Sequence, residues 1–253
     1  MWCEVRCKVW CEVRCQELRP ASNAADSVAS DLLGVYASLA ERRSHLLSDL
    51  FAGAPALQWE RLPADDAVDA SGRYQWFYHS HAPEDRPGGP EHGHIHLFAT
   101  RALWESLAAT PDERAFRHLC GNPRRNTGTR HLIAIGIDPK GLPISLFTVN
   151  SWVTGDLMLA ADATAQVLAA IELDTGYPDI DRVIVSLARL CREEIRLLLA
   201  RRDETLKTRD PCEVLEDRTL EVLSETAIDL DESIARALQL RNRLGQRTPA
   251  LGA

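Results

Sequence analysis

Apolar residues recur along this chain with two different periods, and the changes of period divide it into elements. From Ala24 onward Val28, Leu32, Val35, Leu39, Leu46 and Leu50 keep the spacing of a helix with one buried stripe. This predicts a helix from Asn23 or Ala24 to Phe51, capped by Ser22 or Asn23 and ended by Gly53 and Pro55. Trp59 to Asp69 is acidic and reads as a loop. The period then falls to two. Tyr74-Gln-Trp-Phe-Tyr-His79-Ser-His81 and His92-Gly-His94-Ile-His96-Leu-Phe-Ala-Thr100 read as paired strands. The connection Ala82 to Glu91 is rich in Pro and Gly and long for a hairpin, which makes it a candidate lid.

Beyond this hairpin, Thr100 caps a short helix to Ala109 and Pro111 opens another through His118. His131 to Asp138 and Leu142 to Asn150, around the turn Pro139-Lys-Gly141, form a second hairpin. Helical spacing returns with Leu157, Ala161, Leu168 and Ile171, closed near Thr175-Gly176. It continues from Asp179 to Thr208 with the stripe Ile180, Ile184, Leu187, Cys191, Ile195 and Leu198, on which Cys191 is a core residue. Pro211 breaks this helix, Arg218 to Leu230 fits a strand or a short helix, and Asp231 starts a last helix to Leu244. The expected fold is α+β, a mainly antiparallel sheet of four or five strands packed by helices, in one domain over residues 21–245 with a disordered tail at 246–253.

Five of the eight histidines lie in the first hairpin. Residues two apart share a strand face, so His79 and His81 point one way, and so do His92, His94 and His96. If Trp76 and Tyr78 join Ile95 and Leu97 in the core, all five imidazoles meet on the other face. His79 opposite His94 and His81 opposite His92 would have Cβ atoms about 4.5–5.5 Å apart, a spacing suited to a shared ion. The expected cofactor is a divalent transition metal: Zn, Cu or Ni for three or four histidines, or Fe if Glu84, Asp85 or Glu91 completes a two-His-one-carboxylate set. Gly121 to Arg130 reads as a loop whose Arg124, Arg125 and Arg130 could anchor an anionic substrate, with an exposed basic loop as the alternative. Thr154 and Asp156 read as helix caps, with Asn150 or Asp156 at the edge of the site as the alternative, and His45 among Arg42, Arg43 and Ser44 reads as a surface residue.

Residues 1–20 are a tail carrying the tandem repeat Trp2-Cys-Glu-Val-Arg-Cys-Lys-Val9 and Trp10-Cys-Glu-Val-Arg-Cys15. Its strict alternation puts Cys3, Cys7, Cys11 and Cys15 on one strand face, a candidate soft-metal set, although the spacing is no specific zinc knuckle. Seven cysteines, an odd number, argue for reduced thiols rather than a disulfide framework. The net charge of −8 argues against a nucleic-acid partner. No run approaches the roughly 18 apolar residues of a membrane span, and charges interrupt the N-terminus where a secretory signal would be apolar. The expected compartment is the cytoplasm, and the expected partner is a metal ion or small molecule.

The run His92-Gly-His94-Ile-His96-Leu-Phe98 resembles the His-x-His-x-His-x-x motif of the histidine-triad nucleotide hydrolases and transferases. That resemblance implies His94 as the nucleophile on a nucleotide α-phosphate, with His92 and His96 assisting. It departs from that family where Gly93 replaces an apolar residue and where strands and a long helical region follow the motif; His79 and His81 have no place in it. More broadly, Tyr78-His-Ser-His81, Glu91-His-Gly-His-Ile-His-Leu-Phe98 and Leu146-Phe-Thr-Val-Asn-Ser-Trp-Val-Thr-Gly-Asp156 resemble an uncharacterised bacterial family, a domain of unknown function, over Ala24 to Leu244. This second resemblance implies no activity. The readings are thus a metal-binding protein or metalloenzyme on a small anionic substrate, a nucleotide hydrolase using His94, and a non-enzymatic metal carrier or partner-binding module.

Overall fold

A computed structural model describes residues 21–53, 58–81, 90–119, 128–210 and 213–245. The cysteine repeat, the 246–253 tail, most of the connection between the histidine strands, Arg124 and Arg125 lie outside them. The described residues form strands β1 (Leu62–Val68), β2 (Tyr74–Ser80), β3 (Gly93–Thr100), β4 (Thr129–Ile137), β5 (Pro143–Val149), β6 (Leu157–Met158) and β7 (Val222–Ala227). The helices are α1 (Ala21–Glu41), α2 (Ser48–Phe51), α3 (Arg101–Trp104), α4 (Pro111–Leu119), α5 (Ser151–Thr154), α6 (Ala161–Ala169), α7 (Pro178–Leu190), α8 (Arg192–Lys207) and α9 (Leu230–Gly245). No helix among the described residues is long and apolar enough to cross a membrane.

The class is α+β as expected, but the sheet has seven strands rather than four or five, in the order β1-β2-β3-β4-β5-β7. All of these neighbours pair antiparallel, and the two-residue β6 pairs parallel with the start of β4. Arg218 to Leu230 resolves as the strand β7. The acidic stretch expected as a loop contains β1, an edge strand whose register slips between Leu62 and Ala67. Proline, paired aspartates and a bulge are tolerated there because the outer side of an edge strand has no ladder to break.

Register follows burial. Trp76, Tyr78, Ile95 and Leu97 are fully buried, and they join Ile133, Ile135, Ile137 and Leu146 in one core. Residues from α1, α6, α7 and α8 complete that core. Trp76 pairs with Leu97, Tyr78 with Ile95 and His79 with His94. An irregularity in β4 decides where His131 points. Leu97 pairs with Ile133 but the next residue, Phe98, pairs with His131, so Leu132 is an extra residue on β4. Strict alternation from Ala134 would turn Leu132 to the histidine face and His131 into the core. The bulge puts Leu132 in the core instead and turns His131 toward His96.

Two long predicted helices are each divided. The first ends at Glu41 because Arg43 takes a left-handed backbone, with Ser44 N–H donating to Leu39 O and Arg43 N–H to Ala40 O. This is the hydrogen-bond pattern of a Schellman cap, and only the short α2 follows. The second is interrupted at Cys191, which is fully buried as expected.

Gly93 faces the core between two strands, where an added Cβ would collide with the carbonyl of His79 and the ring of Tyr78. Gly93→Ala should therefore cost about 1–3 kcal/mol in urea unfolding. Gly34→Ala, in α1 with open space around the new methyl, should instead stabilise by about 0.5–1 kcal/mol.

Candidate metal centre

The histidine face of the sheet brings His79, His81 and His94 together. One ring nitrogen from each lies within 4.8 Å of the other two, and the ring centroids are 4.4–4.8 Å apart. His79 Nε2 and His94 Nε2 are 2.7 Å apart and share a hydrogen bond. Two nitrogens bound to one tetrahedral zinc would be about 3.3 Å apart, given Zn–N bonds of about 2.0–2.1 Å. A small outward turn of either ring therefore converts the hydrogen bond into a pair of ligands.

Glu91 is the carboxylate that the fold delivers; the other two candidates, Glu84 and Asp85, lie outside the described residues. Its Oε1 accepts from His94 Nδ1 at 2.8 Å, with both side chains nearly buried. Bonding at Nδ1 leaves the lone pair of His94 on Nε2, the nitrogen that faces His79. The other carboxylate oxygen of Glu91 lies over Gly136, where an added Cβ would come within 2.7 Å of Glu91 Oε2 and would overlap Ser145 Oγ. Gly136 thus makes the space in which the carboxylate sits. Phe147 packs its ring edgewise on His94 at 4.9 Å and closes the apolar side.

Deeper on the same face, His96 Nδ1 and His131 Nε2 share a 3.0 Å hydrogen bond. Both rings are buried, surrounded by Phe77 and Phe98. Burial, with smaller repulsion from His94 and His131, holds His96 well below the ordinary histidine range. Burial likewise pushes His131 down to about 3, with Arg202 adding to the effect. Both are neutral near pH 7.

Not every expected residue joins the group. His92 precedes β3, so the alternation does not bind it, and its Nδ1 shares a 2.6 Å hydrogen bond with the Tyr78 hydroxyl. Burial lowers His92 below the ordinary histidine range, with repulsion from His45 adding to the effect. His45 is not a solvated surface residue. It is half-buried with Nδ1 accepting from Leu47 N–H, and its Nε2 lacks a hydrogen-bond partner among the described residues. Arg130 lies away from the histidines, stacked on Trp104 at 3.8 Å, because the bulge that turns His131 inward sends its neighbour to the opposite face. Asp156 caps no helix and accepts from Thr129, while Asn150 caps α5 and donates to Val214 O and Leu220 O.

Three residues near the histidines carry weak sequence signals. His131 stands at the end of the stripe Ile133, Ile135 and Ile137, an odd place for an imidazole and the visible sign of a bulge. Trp59 and Arg61 fall in a stretch with the composition of a loop. The Trp59 indole is 58 % exposed and meets the rings of His81 and His79 edge-on at 4.6 and 6.1 Å. Arg61 lays its guanidinium over Phe77 at 3.8 Å.

The neutral pair generates a pH dependence. Unfolded, both imidazoles titrate near 6.5; folded, both stay unprotonated well below that. Their contribution is complete above pH 6.5 and is lost as pH falls from 6.5 toward 3. The unfolding free energy of chelator-treated protein should drop by up to about 1.4 kcal/mol per pH unit for each ring. His131→Phe should flatten the slope between pH 6.5 and 5 in urea titrations.

No curated protein and no solved structure gives a significant match to this chain. A family model does, over residues 26–228, which include every strand among the described residues and the cluster of His79, His81 and His94. The chain belongs to the family described as a domain of unknown function, DUF6969.

Proposed function

We propose that the protein binds one divalent transition metal through His79, His81 and His94, with Glu91 orienting His94. The observation that carries this reading is the convergence of three imidazole nitrogens within 4.8 Å, one of them backed by a carboxylate on its far nitrogen. Metal-binding histidines are regularly held this way, since the outer hydrogen bond fixes the tautomer and raises ligand basicity. The donor set favours zinc, or copper or nickel, over iron. Glu91 Oε1 is engaged by His94 and Oε2 lies over Gly136, so the two-His-one-carboxylate set suited to iron would have to break that contact.

Three imidazole ligands leave a fourth position of a tetrahedral ion open, which is the donor pattern of catalytic rather than structural zinc sites. A metal there would act as a Lewis acid on an oxygen of a small anionic substrate. The chain's own contribution is to keep the ligands aligned, with His96, His131 and Phe147 excluding water from the inner side. Nucleotide hydrolysis through His94 is the weaker reading, because His92 points to Tyr78 and the three histidines of that motif do not converge.

Purified protein reconstituted with zinc should hold one ion per chain by elemental analysis. His79→Ala, His81→Ala and His94→Ala should each lose it, while His92→Ala should keep it. Unchanged metal content in the His94 variant would sink the proposal. Glu91→Gln should weaken zinc affinity about 10–100-fold in chelator competition, and Gly136→Ala, which crowds the Glu91 carboxylate, should weaken it in the same direction.

A further inference from the structure

Beside the histidines stand two side chains that the metal reading does not use. Trp59 is 58 % exposed, and its backbone φ of +66° lies in the left-handed region that bulky residues rarely adopt. Such conformations persist only where the surroundings over-determine them, and they gather at ligand clamps. Here the segment is held by Trp59 N–H donating to Ser80 O at 3.0 Å and by the bridge from Gln58 to Ser80. The indole is thereby held near a right angle to the His81 ring, with centroids 4.6 Å apart and the residue more than half exposed.

Arg61, two residues on, holds its guanidinium carbon 3.8 Å from the centre of the Phe77 ring, which is 5.0 Å from His96 and 5.8 Å from His79. Stacking uses the face of a guanidinium and leaves its N–H edge for hydrogen bonds. Its ion pair with Asp66 is a single contact at 3.5 Å, with the Arg61 side chain about half exposed. Asp66 also accepts from Gln75 at 2.9 Å. Because Phe77 flanks both His79 and His96, a guanidinium over its ring stands on the histidine face.

We infer that Trp59 and Arg61 form the substrate-selecting wall of this site, and that they select a small aromatic carboxylate. An exposed indole offers a planar apolar surface on which a ring can stack or pack edgewise. A guanidinium edge matches the two oxygens of a carboxylate in one plane. A purely inorganic anion would use the second group and waste the first; an uncharged ring would do the reverse. The inference deepens the metal reading, which supplies the inner end of the same site, but its two residues are separate from the proposed ligands.

The test is calorimetric titration of the zinc-loaded full chain with benzoate, with acetate and inorganic phosphate as comparators, and with metal content measured on every sample. Benzoate should bind at least about ten-fold tighter than acetate or phosphate. Trp59→Ala and Arg61→Gln should each weaken benzoate about ten-fold, matching the roughly 1.4 kcal/mol of one stacking or one charged contact, with zinc content unchanged. Trp59→Phe should retain most of the affinity. Benzoate affinity equal to that of acetate or phosphate, or unmoved by both variants, would overturn the inference while leaving the metal reading intact. Should the chain take up no zinc, the same titration on chelator-treated protein decides separately: benzoate binding that still depends on Trp59 and Arg61 supports the wall, and its absence overturns it.

Discussion

Burial of Trp76 and Tyr78 against Ile95 and Leu97 sets the register of β2 on β3, and the histidine face exists because of it. These four side chains are fully buried, and moving them to the opposite face by a one-residue slip would forfeit about 1.5–3 kcal/mol of apolar burial for each. No gain among imidazoles offsets that. The apolar side therefore dictates that His79 lies opposite His94, and the cluster is held by the core behind it rather than by its own contacts. Like groups can be held together in this way without attracting one another. The rings gain little from their neighbours, but the backbone that carries them cannot go elsewhere.

A second level of positioning works through absence of side chain. Gly136 lies across the strand pair from His94, and the space above it takes the Glu91 carboxylate. Glu91 then fixes the tautomer of His94. The chain of cause runs from a missing Cβ on β4, to a buried carboxylate, to which nitrogen of a ring on β3 carries its lone pair.

Period two made most of this face legible in the sequence. The pairing of His79 with His94 and the core role of Trp76, Tyr78, Ile95 and Leu97 follow from alternation and burial alone. What alternation could not supply is where it stops. His92 precedes Gly93, the first residue of β3, so its ring is free of the strand's rule and turns to Tyr78. His131 lies beyond a bulge at Leu132, so counting by twos from Ile137 puts it on the wrong face. β1 was hidden for a related reason: an edge strand with Pro63, Asp65 and Asp66 has the composition of a loop, and only its pairing with β2 makes it a strand. Trp59 and Arg61 were lost with it, because a side chain's place over a site depends on long-range pairing that leaves no local trace.

The protonation of the cluster links its stability to its chemistry. Five imidazoles on one face would repel if charged, and burial prevents this for His96 and His131. The pair then satisfies itself through one shared proton. His79 and His94 do the same at 2.7 Å, with one difference: Glu91 already takes the Nδ1–H of His94, so His79 must be the donor, through Nε2. That proton occupies the place between two nitrogens where an ion would sit. A metal would replace a single hydrogen bond by two coordinate bonds, and the price is only a change of tautomer at a half-buried ring. The deeper pair has no carboxylate behind it and no third ring nitrogen grouped with it among the described residues. The same face thus holds one pair of histidines content as neutral packing and one poised to exchange a proton for a metal, and the carboxylate of Glu91 is what separates the two.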